Sequence, residues 1–280
     1  MKYRFMRYPQ FKTKAVTMSF DDGCIHDIRL VEVLNRYGMK ATFNLYGTSF
    51  PSEDTPVRVS EEHARSLYFP NGHDVAVHGE QHLAPILAAP KDGIREVMNC
   101  RAFLEGFYGR IIRGMAYPDY GYTNEEVKTY LKMLGITYAR TVATTGKFQL
   151  PTDWLEWNMT AKTSEGVKSL ELADAFVARD VRQEYQAYQW PLLFAFWGHS
   201  YEYDPNRWGE IEALCEKLSG QEDVWYVNNT DLYEYCRAYE SLVFSCDNTL
   251  VYNPTQIDVY FETPENKQYL VKAGETLVLE

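Results

Sequence analysis

An α/β fold with parallel strands is what this sequence predicts, and three observations predict it. Short apolar runs occur at residues 15–20, 41–46, 74–78, 114–117, 136–141, 192–197 and 224–227. Amphipathic helical patterns lie between them, and repeated strand–helix units imply parallel pairing through right-handed crossovers. Chemistry-bearing residues gather at the ends of the runs, where α/β folds build their sites. Seven runs suit either an open doubly wound sheet or a closed barrel, and periodicity does not choose between them.

The elements follow in order. Tyr37-Gly38 and Leu134-Gly135 each lead from helix into strand. Val127, Tyr130, Leu131 and Leu134 share one helix face. Thr123 with Glu126 reads as a capping box at the start of that helix, and Gly135 as its stop. Ile211, Leu214, Cys215 and Leu218 repeat the pattern, as do Leu232, Tyr235, Cys236 and Tyr239. After residue 242 the texture changes. Ile257, Val259 and Phe261 alternate with Asp258, Tyr260 and Glu262, with turn signals at Asn253-Pro254, Pro264-Glu265-Asn266 and Ala273-Gly274. The expectation is a main domain over 1–240 and a small antiparallel β appendage over 241–280. The appendage is too short to hold a core alone, so it should pack on the main domain.

Composition narrows the function classes. The chain has 280 residues, 45% of them apolar and 15% aromatic, which suits one large globular domain and excludes a disordered chain. It carries 28 Lys and Arg against 39 Asp and Glu, a net charge of −11 that argues against nucleic acid and anionic membranes as partners. No apolar stretch approaches bilayer-crossing length, and the basic start Met1-Lys2-Tyr3-Arg4 precedes no apolar region, so a cytoplasmic location is expected. Cys24, Cys100, Cys215, Cys236 and Cys246 are odd in number and scattered, which fits reduced thiols.

Three segments carry chemistry. Ser19-Phe20-Asp21-Asp22-Gly23 closes the first run. Adjacent carboxylates repel, and one could bind a metal while its neighbour acts as a base; a solvated Asp-Gly turn is the other reading. His78-Gly79-Glu80-Gln81-His82 spaces two histidines as on one side of a helical turn, close enough to share an ion. With one aspartate they would make three ligands and leave a position open, as catalytic sites do; a partly exposed pair is the alternative. The apolar run ending at Gly198 delivers His199 to its C-terminal end, as an acid–base group or as a satisfied terminal histidine. Cys24 reads as a small buried residue, and His26 and His63 as surface residues of helical segments. Trp154, Trp157, Trp197 and Tyr201 lie near these segments in sequence, where core packing competes with sugar stacking.

In this order the segments resemble the polysaccharide deacetylase (NodB-homology) family, carbohydrate esterase family 4, over roughly residues 14–238. Ser19-Phe20-Asp21-Asp22-Gly23 is similar to the family's first motif and His78-Gly79-Glu80-Gln81-His82 to its second, preceded by Gly72-His73-Asp74. Met115-Ala116-Tyr117-Pro118-Asp119-Tyr120-Gly121 resembles the third motif, and the strand ending in His199 the fifth. The resemblance implies a deformed (β/α)7 barrel. It implies Asp21 as general base, His199 as general acid, and Asp22, His78 and His82 as ligands of a divalent metal. Zinc is the first expectation, with cobalt, nickel and manganese behind it.

Asp153-Trp154 resembles the fourth motif, which would set Asp153 against His199 and Trp154 beside the substrate. The Tyr120 N–H would help hold the oxyanion. The implied activity is metal-dependent removal of N- or O-acetyl groups from a carbohydrate. The alternatives are hydrolysis of small cyclic amides, as in allantoinase- and imidase-like branches, or sugar binding without catalysis. Two departures stand out. Ala116 sits about where the third motif often carries an arginine that orients the catalytic aspartate, and Asp119 lengthens the motif's ending by one residue. Arg113 and Arg140 are the basic residues nearest to replacing it.

Overall fold

The strands alternate in what they bury, and that alternation builds the site. In a computed structural model describing residues 3–185 and 188–279, the strands are β1 (Phe5–Arg7), β2 (Lys14–Asp21), β3 (Ala41–Leu45), β4 (Asp74–Val77), β5 (Gly114–Ala116), β6 (Tyr138–Thr144), β7 (Trp157–Met159), β8 (Ala161–Lys162), β9 (Leu192–Gly198) and β10 (Val224–Tyr226). Beyond them come β11 (Val243–Phe244), β12 (Leu250–Tyr252), β13 (Val259–Glu262), β14 (Gln268–Val271) and β15 (Thr276–Val278). The helices are α1 (Asp27–Arg36), α2 (Glu61–Leu67), α3 (Pro90–Tyr108), α4 (Glu125–Met133), α5 (Val167–Ala178), α6 (Trp208–Leu218) and α7 (Asn229–Glu240).

The main sheet is parallel, in the order β7-β6-β5-β4-β3-β2-β9-β8, with β10 against the first half of β2. Its two edge strands are neighbours in sequence, and this closes it. β7 pairs with β6 and β8 with β9, while Thr160 between them donates its N–H to Ala195 O at 2.7 Å. One broken segment over 157–162 therefore bridges both edges, and the sheet is a deformed barrel. The sequence runs missed this segment because three and two residues are too few to show a period.

On β2, Val16, Met18 and Phe20 face outward and share a core with Leu30 and Leu34 of α1. Thr17, Ser19 and Asp21 face the interior, as period-two geometry requires. That interior is polar at one end. The start of α7 plugs it: Thr17 Oγ1 donates to Asn229 Oδ1 at 2.7 Å, and Asn229 N donates to Thr42 Oγ1 at 2.9 Å. At the other end the C-termini of β2, β4 and β9 present Asp21, His78 and His199.

The segments after α7 form antiparallel sheets, β11-β12-β15 and β1-β13-β14. The N-terminal strand β1 thus belongs with the last part of the chain. Arg7 Nε meets Glu262 at 2.6 Å with both side chains fully buried, and Arg182 reaches Glu262 at 2.8 Å. Two sequence expectations are corrected locally. The cap of α4 is Asn124, whose Oδ1 accepts from Val127 N at 2.9 Å, so Thr123 and Glu126 form no capping box. The stretch His78 to His82 is irregular loop, with Gly79 at φ +88° and His82 at φ +61°, so no helical turn sets the histidine spacing. Among the described residues no helix is long and apolar enough to cross a membrane.

Candidate active site

Asp22 follows the last residue of β2 in the left-handed region, at φ +82°. That turns its carboxylate away from the inward direction of Asp21, so two successive carboxylates serve different neighbours. His78 stands just beyond β4. Its Nδ1 lies 2.9 Å from Ala116 O, and a carbonyl only accepts, so Nδ1 carries the proton and Nε2 presents a lone pair. His82 arrives from the loop, held by Glu96. That buried carboxylate accepts from Gln81 N at 2.8 Å and from Leu83 N at 3.3 Å.

The three side chains converge. His78 Nε2 is 3.1 Å from His82 Nε2, and Asp22 Oδ1 is 3.6 and 3.4 Å from the two nitrogens. Tetrahedral ligands at about 2.0–2.1 Å from zinc stand about 3.3–3.4 Å apart, so these separations fit a shared cation. Asp22 Oδ1 is buried without any hydrogen-bond partner, and the His78 lone pair faces another ring nitrogen. A buried carboxylate oxygen left without a donor is unfavourable, and a cation between the three side chains would relieve it. Burial lowers the His78 pKa, keeping the ring neutral as a ligand must be. The adjacent Asp22 carboxylate raises that of His82, against the effect of burial. Asp119 Oδ1 lies 3.7 Å from His82 Nδ1 and backs the second ligand. Asp22, His82 and Asp119 all adopt positive φ, a concentration of unfavourable backbone typical of functional sites.

Beside this triad sits Asp21, 3% exposed. Asn44 Nδ2 donates to its Oδ1 at 2.8 Å, and Arg140 Nη2 donates to both carboxylate oxygens. Arg140 is fully buried and lies 4.4 Å above the Trp197 ring. Burial alone would raise the Asp21 pKa, but the charges of Arg140, His78 and His199 override it and hold the carboxyl at about 2. Across the site, His199 Nε2 is 3.9 Å from Asp21 Oδ2 and 3.8 Å from Asp22 Oδ2. Glu202 Oε2 holds this ring from behind, 3.2 Å from Nδ1, and also accepts His199 N–H at 2.9 Å. Burial opposes charge on His199, yet the Glu202 bond with the Asp21 and Asp22 charges raises its pKa above the ordinary value.

The sequence model of the family described as polysaccharide deacetylase matches residues 9–139, a span holding Asp21, Asp22, His78 and His82. Over that span the chain is similar to the polysaccharide deacetylase family, as its motifs imply. Solved structures share the fold. A Mycobacterium smegmatis protein assigned as a polysaccharide deacetylase superposes with a TM-score of 0.57 at 17% identity, over 83% of this chain and 93% of that one. The Xyl-CE4 domain of a multidomain xylanase, from the hindgut metagenome of Trinervitermes trinervoides, gives 0.54 at 18% identity, over 80% and 92%. A variant of the peptidoglycan deacetylase PdaC from Bacillus subtilis gives 0.52 at 16%, over 84% and 96%. A search of curated proteins gives no match.

Within this deacetylase fold the remaining expected residues fall differently. Arg140 of β6 occupies the role left open by Ala116, while Arg113 pairs with Glu234. Asp153 does not face His199. Its Oδ1 caps Leu155 N at 2.9 Å and its Oδ2 accepts from Lys128 Nζ at 3.0 Å, and Glu202 stands behind the histidine instead. Trp154 packs edge-on against Trp157 and Tyr233, each at 5.2 Å, within the core rather than beside the ligands. The Tyr120 N–H makes no hydrogen bond among the described residues, and the side chain is exposed. Cys24 is buried against Ser200 at 3.2 Å. His63 lies in α2, while His26 precedes α1 and lines the cleft. That cleft, of about 500 Å³, runs from Asp22 and His82 to Tyr46, Arg58 and Tyr201.

Proposed function

We propose that this chain is a metal-dependent hydrolase that removes acetyl groups from a carbohydrate. The observation that carries the reading is the convergence of Asp22 Oδ1, His78 Nε2 and His82 Nε2, with Asp21 beside them and His199 opposite. A divalent cation, zinc before cobalt, nickel or manganese, would supply Lewis-acid polarisation there and lower the pKa of water from about 15.7 toward 7.

The chain's own residues do the rest. Asp21, kept anionic by Arg140, takes a proton from the attacking water as its oxygen bonds to the acetyl carbon. The Tyr120 N–H is free to donate to the oxyanion that forms. His199, whose charged form Glu202 favours, gives a proton to the leaving nitrogen or oxygen as its bond to the acetyl carbon breaks. The products are acetate and a free amine or hydroxyl.

The cleft supports a glycan over a small cyclic amide. Val57 and Tyr201, 64% and 46% exposed, stand on its walls, so it is open to an extended chain. The Tyr201 ring, 4.9 Å from that of His199, offers a stacking face. The test is acetate release from acetylated chito-oligosaccharides and acetylated xylan, before chelation, after it, and after zinc is restored. Release that chelation abolishes and zinc restores is expected. Release indifferent to chelation would refute the mechanism, and turnover of cyclic imides alone would move the substrate.

A further inference from the structure

The cleft contains one guanidinium with no counter-charge. Arg58 lines it together with the ligands Asp22 and His82, and forms no ion pair with any described residue. Its Nη2 donates to Tyr46 O at 2.7 Å, its Nε is buried without a partner, and its Nη1 makes no hydrogen bond among the described residues. The guanidinium lies 4.5 Å above the Tyr46 ring, which meets the His82 ring at 5.5 Å. Tyr46 thus contacts both the unpaired cation and His82, one of the proposed metal ligands.

The arrangement is built rather than incidental. Arg58 bridges Cys24 in an isolated antiparallel pair, and Ile25 N donates to Val57 O at 3.0 Å, so its backbone is fixed to the segment that carries Asp22. Gly47, at φ +102°, leaves the room: a Cβ there would stand 3.2 Å from Arg58 Nη1. A half-buried, pre-positioned guanidinium without a carboxylate partner is costly in isolation and binds an incoming carboxylate strongly. In a chain of net charge −11, a carboxylate ligand would otherwise be repelled.

Building on the deacetylase reading, we propose that Arg58 is an anion subsite, and that the substrate is an acidic acetylated oligosaccharide with a carboxylate on the unit next to the acetylated one. The geometry that assigns it is the unpaired Arg58 guanidinium stacked on Tyr46 in the wall of the metal cleft.

The experiment uses a matched pair of probes on the zinc-loaded protein: tetra-N-acetylchitotetraose, and the same oligosaccharide with its primary alcohols oxidised to carboxylates. Titration calorimetry gives a Kd for each, and acetate release is followed in parallel. The acidic probe is expected to bind about tenfold tighter, with the preference shrinking as salt is raised. Arg58→Gln should remove the preference and Arg58→Lys retain part of it, with melting temperature and zinc content confirming that both variants fold. Equal affinities in the wild type, no binding of either probe, or an Arg58→Gln variant that weakens both probes alike would overturn the subsite. A binding preference without acetate release from either probe would keep the subsite and overturn the deacetylase reading, so the two failures are distinguishable.

Discussion

The two halves of the site are built differently. The proposed ligand half, Asp22, His78 and His82, holds an orphaned carboxylate oxygen beside two ring nitrogens that have only each other, at 3.1 Å, on their Nε2 sides. The proton-transfer half is already satisfied. Asp21 is held by Arg140 and Asn44, and His199 by Glu202. On the proposed reading one half is completed by a cation, while the other is fixed by the chain itself. Ligand changes should therefore remove the cation, and changes behind Asp21 or His199 should leave the cation in place and slow the chemistry.

The largest expected effect breaks the first half. Asp22→Asn or His78→Ala should weaken zinc retention at least a hundredfold, since loss of even an outer partner of a ligand costs about 10–100-fold. Acetate release should fall in proportion to zinc content. Zinc retained at wild-type affinity in either variant, by metal analysis after dialysis, would remove these residues from the ligand set.

Next comes Arg140. Arg140→Ala should lower kcat by about 10²–10⁴, the range of a positioned general base. KM and zinc content should stay within about twofold. Asp21 would be left buried without its cation, so the melting temperature should drop as well. Arg140→Lys should recover part of kcat; if it recovers stability alone, Arg140 serves the fold and not the base. Glu202→Gln should cost less, about tenfold in kcat, because the substituted oxygen can still accept His199 N–H while the charge behind the ring is lost. An unchanged kcat would free His199 from that partner.

The same division explains what the sequence made legible. Metal ligands come in short words, because one loop must deliver each to a common point, and Asp21-Asp22 and His78 with His82 are readable as such. Orienting residues depend on which strands lie side by side. Arg140 reaches Asp21 only because β6 lies across a closed barrel from β2, with three strands between them, and residues 138 and 140 face inward, none of which a strand pattern states. A lone arginine inside an apolar run was the available signal. For Glu202 it was the spacing of three from His199, one short helical turn. Barrel closure by 157–162 and the pairing of β1 with β13 are also long-range facts, invisible to local periodicity.

A smaller effect lies behind His199. Asp27 is fully buried at the start of α1, accepting from Tyr68 OH at 2.9 Å and from Ser200 Oγ at 2.5 Å, and forms no ion pair among the described residues. Burial pushes its pKa up to about 7. The unfolded value is about 3.9. Between the two the folded chain holds a proton that the unfolded chain has released, so stability is highest below the window and falls as pH rises through it. The melting temperature should decline between pH 5 and 8, and Asp27→Asn should flatten most of that slope. A residual slope is expected from Asp74, raised to about 6 by burial. An unaltered slope in Asp27→Asn would place the titrating group elsewhere.

The smallest expected effect sharpens the comparison by its absence. Asp153 shares a sequence word with residues that do act in deacetylases, yet here it caps a turn and pairs with Lys128, whose side chain also meets Glu125 and Glu156. Asp153→Ala should leave kcat and zinc content within about twofold. It should destabilise the chain by about 1 kcal/mol, the usual scale for a lost cap, because Lys128 keeps two other carboxylates. A tenfold loss of kcat with stability unchanged would return Asp153 to the catalytic machinery. It would also mean that Glu202 does not suffice to hold His199, since a ring with one adequate carboxylate behind it gains little from another far to the side.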